Sequence, residues 1–151
     1  MYRYASGNPI EQIDPLGHKT YVIYYRSPVP HIGIGFNAPV THGFGPVRDL
    51  QPHGPGTVGA DLSKPVKVVV LDTTRDQEKA MLAKILERRD NPGTYDLRSR
   101  NCAHFVEDVL EAGGIETTRT LFPGALIKEL RSKGVDATAG AKQSPGPCPS
   151  K

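Results

Sequence analysis

Residues 101–110 read Asn-Cys-Ala-His-Phe-Val-Glu-Asp-Val-Leu, a helix that opens on a cysteine. Asn is a favoured N-cap because its side-chain oxygen takes an otherwise orphaned N–H of the first turn. Asn101 therefore predicts a helix from Cys102 to Ala112, closed by Gly113-Gly114. Cys102, Phe105, Val106, Val109 and Leu110 then share one face. The sulfur is directed into the body of the protein from a helix head, where unpaired N–H groups and the positive end of the dipole stabilise a thiolate. The plain alternative is a small core cysteine, because free Cys is among the most buried residue types. His104 lies about 200° round the helix from Cys102 and reads as a packing or supporting residue.

Upstream, Thr20 to Arg26 (TYVIYYR) is a β-branched and aromatic run, a strand ended by Pro28 and Pro30. His31 to Phe36 (HIGIGF) predicts a second strand whose glycines admit close backbone approach. Asn37-Ala38-Pro39 is a turn, and Val40 to Phe44 (VTHGF) returns. If these two pair as a hairpin, His31 and His42 can lie side by side on one face. A thiolate nucleophile needs a base within reach, and the base needs a third group to hold its tautomer. The expected assignment is Cys102 as nucleophile, His31 as base and His42 as its orienting partner. Tyr95 and Arg98, close upstream of Cys102, are candidate oxyanion donors, with Asn101 and His104 supporting them. His18 and His53 are given no role.

Residues 45–64 are rich in Gly and Pro and read as a long loop, a candidate lid or rim. Lys67 to Leu71 (KVVVL) is a strand. Asp72-Thr73-Thr74 offers an N-cap for a helix from about Arg75 to Arg89, ended by Asn91-Pro92-Gly93. A last helix is expected over Pro123 to Lys133, with Gly134 beyond it. The expected fold class is α+β, a small antiparallel sheet packed against the cysteine-bearing helix with two further helices. The expected divisions are an extended junction segment over 1–17, the folded domain over 18–135, and a Gly, Ser and Pro-rich disordered tail over 136–151.

Composition narrows the function. The 151 residues carry a formal net charge of +3, with no clustered basic face, so no nucleic-acid partner is expected. No apolar run is long enough to span a bilayer, and the first residues lack a signal-peptide pattern. Cys102 and Cys148 have unlike surroundings and are not read as a disulfide. With neither Cys-x-x-Cys nor His-x-x-x-His, no metal or other cofactor is expected.

Two resemblances bear on identity. The segment Asn101-Cys102-Ala103-His104-Phe105-Val106 resembles the nucleophile motif of lecithin–retinol acyltransferase-like proteins, the circularly permuted branch of NlpC-type papain-like hydrolases. Ala103 stands where that motif has an acidic residue. Permutation puts histidine before cysteine in the chain, the order found here, and His31 and His42 occupy the family's histidine positions. The resemblance implies a permuted papain-like fold and a cysteine hydrolase or acyltransferase, with phospholipid acyl esters as leading substrate. A peptidoglycan amidase or endopeptidase is the alternative, followed by protein deamidation or proteolysis. The opening Arg3-Tyr4-Ala5-Ser6-Gly7-Asn8-Pro9-Ile10 and Asp14-Pro15-Leu16-Gly17 resemble the end of an Rhs-repeat core. That implies the C-terminal toxin of a type VI-like secreted effector, with an Rhs shell as carrier and a cognate immunity protein, acting at the periplasm or inner membrane of a competitor. A non-catalytic binding module is the competing non-enzyme expectation.

Overall fold

The computed structural model describes residues 18–26, 29–36, 40–48, 51–61 and 63–138. The elements follow as β1 (His18–Tyr25), β2 (His31–Phe36), β3 (His42–Pro46), β4 (His53–Ala60), β5 (Pro65–Thr73), α1 (Arg75–Asp90), β6 (Thr94–Asp96), α2 (Cys102–Ala112), α3 (Pro123–Arg131) and β7 (Val135–Asp136). The strands form one seven-stranded antiparallel sheet in the order β6-β4-β3-β2-β1-β5-β7. The chain is thus α+β, as its texture implied.

Why β1 reads as a continuous apolar run is visible in its packing. Val22 faces the main core with Ile32, Ile34, Phe44 and Phe105, while Ile23 and Tyr25 join Val68 in a second cluster. A central strand buried on both sides has no reason to alternate polar with apolar. The helices cover the sheet, with α2 against β2 and β3 and α3 against β1 and β5. Thr74 caps α1 in a capping box with Gln77, closing the helix start expected at that point. Among the described residues, no helix is long and apolar enough to cross a membrane.

Two expectations are corrected. Much of the stretch 45–64 is strand: β3 runs on to Pro46, and β4 pairs with β3 over Gly56–Ala60 and with β6 over His53–Pro55. Its one large core side chain, Val58, lies opposite Phe44. Glycine and proline are depleted in strands, so HGPGTVGA carries almost no strand signal of its own. The fold also extends past 135. β7 pairs with β5, the Ala137 N–H donates to Val68 O at 2.8 Å, and Val68 N–H donates to Thr138 Oγ1 at 3.0 Å. Asp136 to Thr138 therefore belong to the domain. The junction segment 1–17, the remainder of the expected tail from 139 onward, and Cys148 lie outside the described residues.

Asn101 holds the head of α2. Its Oδ1 accepts from the N–H groups of Ala103 and His104, and its Nδ2 donates to Leu97 O at 3.0 Å and Leu121 O at 2.8 Å. Both donors and the acceptor of a side chain only 2% exposed are spent on three segments of chain. Removing them uncaps the helix and strands two carbonyls. We expect Asn101→Ala to lower unfolding free energy by about 2 kcal/mol or more in urea titration. An unchanged midpoint would remove this residue from the account of how Cys102 is placed.

Candidate active site

His31 is the first residue of β2 and sits opposite Tyr25 of β1, with ring centroids 5.9 Å apart. Its Nε2 lies 2.6 Å from Asp61 Oδ1. Asp61 follows directly on β4, and its backbone N–H donates to Thr41 O at 2.9 Å. The Thr41 hydroxyl donates to Asp61 Oδ2 at 2.7 Å, which commits its only proton. The Tyr25 hydroxyl, 2.7 Å from Thr41 Oγ1, is then the donor in that contact. Both carboxylate oxygens are thus engaged, and each layer fixes the one in front of it.

Two glycines make room for this arrangement. A Cβ on Gly43 would stand 2.3 Å from His31 Nε2 and 2.8 Å from Asp61 Oδ1, and one on Gly33 would stand 1.9 Å from Asp61 Oδ2. The glycines of β2 and β3 therefore admit side chains of the site where any Cβ would collide with them.

Cys102, at the first position of α2 and 4% exposed, lies beside His31 and interacts with its ring. With Nε2 held by Asp61, the ring nitrogen left for the sulfur is Nδ1. Burial pushes the imidazole toward neutrality, but hydrogen bonds to Asp61 and Cys102 and the charges of both outweigh it, raising His31 to about 10. Carboxylate, imidazole and thiol form a line in which the acid orients the ring and the ring faces the sulfur. At the helix head, Asn101 takes the N–H groups of Ala103 and His104. The Cys102 N–H meets no acceptor among the described residues and remains for an oxyanion.

His42 is not part of this line. Across the β2–β3 ladder it lies opposite Ile34, three residues from His31. An odd step along a strand sends side chains to opposite faces, so the two imidazoles cannot lie side by side. His42 is exposed, in a groove with Val40 and Leu86. The orienting place expected for it is taken by Asp61. No local motif marked that aspartate. It reaches the site only through the β3–β4 pairing, which a loop reading of 45–64 conceals.

The supporting candidates separate by role. Tyr95 is buried against Phe44 and lines the same cavity as Cys102. Burial, then the charges of Cys102 and Asp96, push its hydroxyl up to about 12, so it is a donor rather than a base. Arg98 lines the cavity too, exposed at its edge. Asn101 has no free amide proton to offer a substrate, and His104 Nδ1 accepts from the Asn101 N–H, so both position the helix head. Burial and the nearby Arg119 lower the pKa of His104, outweighing Asp108 and suiting an acceptor nitrogen. His53 pairs with Asp96 at 3.0 Å, away from the sulfur.

The cavity that reaches Cys102 encloses about 530 Å³, and Pro30, Tyr95, Leu97, Leu121 and Phe122 make much of its wall apolar. Among the described residues, no group of three or more His, Cys, Asp or Glu could hold a metal ion. No family model matches the chain, and no curated protein or solved structure is significantly similar to it.

Two outcomes test the geometry. Asp61→Asn should reduce turnover on the order of a hundredfold or more while leaving the fold intact, and His42→Ala should leave turnover within about twofold. Equal losses in the two variants would reject Asp61 as the orienting residue. Folded His31 titrates near 10, against 6.5 for an ordinary imidazole, so the native state binds its proton more tightly. The resulting stabilisation is complete below about pH 6.5 and drains away as pH rises to about 10. In urea denaturation across that window, the stability advantage of wild type over Asp61→Asn should narrow. A constant difference would contradict it.

Proposed function

We propose that this protein is a cysteine hydrolase or acyltransferase of permuted papain-like type, acting on acyl esters of membrane phospholipids. In this reading it is the toxin domain of an Rhs-type effector, delivered by its shell to the periplasm or inner membrane of a target bacterium and neutralised in the producer by an immunity protein. The supporting observation is the Cys102–His31–Asp61 line at the end of an apolar cavity. A catalytic line alone would serve an ester or an amide. An apolar wall suits a hydrocarbon chain better than the sugar and peptide of a cell wall.

With its proton carried by His31, the Cys102 sulfur attacks the ester carbonyl as a thiolate. The carbonyl oxygen gains charge against the Cys102 N–H, with Tyr95 and Arg98 as further donors on the cavity wall. Collapse breaks the acyl–oxygen bond, His31 returns its proton to the departing alcohol, and the acyl group stays on sulfur as a thioester. A water, deprotonated by His31, releases the acid. A second alcohol in its place completes a transfer. Asp61 carries the imidazolium through both steps, and Thr41 and Tyr25 hold Asp61.

Purified wild type should release fatty acid or lysophospholipid from phosphatidylethanolamine–phosphatidylglycerol vesicles, and Cys102→Ala should lose at least about a thousandfold of that rate. Cleaved muropeptides from purified sacculi, with untouched lipids, would move the activity to cell-wall amides. Toxicity that survives Cys102→Ala would favour a non-catalytic module.

A further inference from the structure

Among the described residues, Val40, Leu82, Leu86 and Val135 are exposed elsewhere, but the other exposed large apolar side chains gather at one place. Val29, Leu97 and Phe122, exposed at 47%, 54% and 67%, line the mouth of the Cys102 cavity, and Val47, at 59%, follows Pro46 of the same wall. These residues come from four separate segments: the approach to β2, the exit from β3, the turn after β6 and the cap of α3. Such a ring has no packing role in the isolated chain. A contiguous apolar patch left in water marks a surface that meets something less polar.

Three arginines stand close to these segments in the chain. Arg26 leaves β1 beside the Tyr25–His31 pair, Arg48 follows Val47, and Arg98 follows Leu97 on the cavity edge. All three are exposed, and none makes an ion pair with a described residue. Asp96, near Arg98, is already engaged by His53 and by the backbone N–H of Arg98. The acidic residues of α2, Glu107, Asp108 and Glu111, belong to its later turns, away from the head that carries Cys102. An apolar ring flanked by arginines that pair with no described residue matches the layering of an anionic bilayer, headgroup charge outside and hydrocarbon within.

We propose that Val29, Val47, Leu97 and Phe122, with Arg26, Arg48 and Arg98, form a docking face that seats the cavity mouth on an anionic phospholipid bilayer. This rests on the reading of the cavity as an acyl-ester site, and it adds how a buried sulfur obtains its substrate. A lipid acyl chain can pass from the bilayer into the cavity without crossing water when the rim is immersed. The arginines concentrate the protein on anionic lipid, and the apolar side chains hold it there.

The test is sedimentation of the full-length Cys102→Ala chain with phosphatidylethanolamine vesicles, with and without phosphatidylglycerol. We expect binding that needs phosphatidylglycerol and weakens with salt, a loss of tenfold or more in Leu97→Asp/Phe122→Asp, and a several-fold loss in Arg48→Glu/Arg98→Glu. Val47→Asp, whose side chain does not line the cavity, supplies a second apolar arm should the double variant fail to fold. Undiminished vesicle binding by folded rim variants overturns the docking face, as does wild-type binding to purified sacculi but not to vesicles. The two readings fail separately. Vesicle binding without ester hydrolysis upholds the docking face and rejects the catalytic assignment. Hydrolysis of a monomeric short-chain ester without vesicle binding does the reverse.

Discussion

The hydrogen bond between His31 Nε2 and Asp61 Oδ1, 2.6 Å long, is the constraint on which the rest of the site depends. It decides which ring nitrogen is left to face Cys102, and it favours the protonated form of a half-buried imidazole against the cost of burial. A charge in that position is tolerable only if its partner is itself fixed. Thr41 and Tyr25 do this from behind, and the Thr41 carbonyl binds the Asp61 N–H. The bare faces of Gly33 and Gly43 explain why the sheet is glycine-rich where the site lies.

The sheet brings these groups together from distant points in the chain. β1 and β2 supply Tyr25 and His31, the start of β3 supplies Thr41, and the end of β4 supplies Asp61. α2 then presents Cys102 at its head, held by an Asn101 side chain that ties two neighbouring loops to the same point. A thiol on a helix N-terminus and an imidazole on a strand meet with little freedom in either. That rigidity suits a line of proton transfer whose members must stay within hydrogen-bond reach.

How far the residues alone could be read follows from what kind of signal each feature leaves. The helix on Cys102, its Asn cap and its apolar face are local patterns, as are the capping box of α1 and the β-branched runs of β1 and β5, and all of these were legible. So was the relation of His31 to Cys102, through helix-head chemistry and the order of the two residues. The third member was not. Choosing between His42 and Asp61 requires the strand register, and a shift of a single residue reverses which face a side chain takes. β4 was hidden for a different reason: HGPGTVGA has one apolar side chain to bury, and its strand conformation comes from neighbours on both sides. The apolar rim was hidden as well, since Val29, Val47, Leu97 and Phe122 are unremarkable singly and become a surface only when four segments converge.

The central claim is that the Cys102 sulfur attacks an acyl carbon with His31 as its base, and capture of the covalent intermediate addresses it directly. Intact-mass and peptide-level mass spectrometry after brief mixing with a slowly hydrolysed long-chain acyl ester should show one acyl group, on Cys102, in the wild type. The same adduct should be absent when His31 is replaced by alanine. An acyl group elsewhere, or one that forms on Cys102 equally fast without the imidazole, would contradict the account.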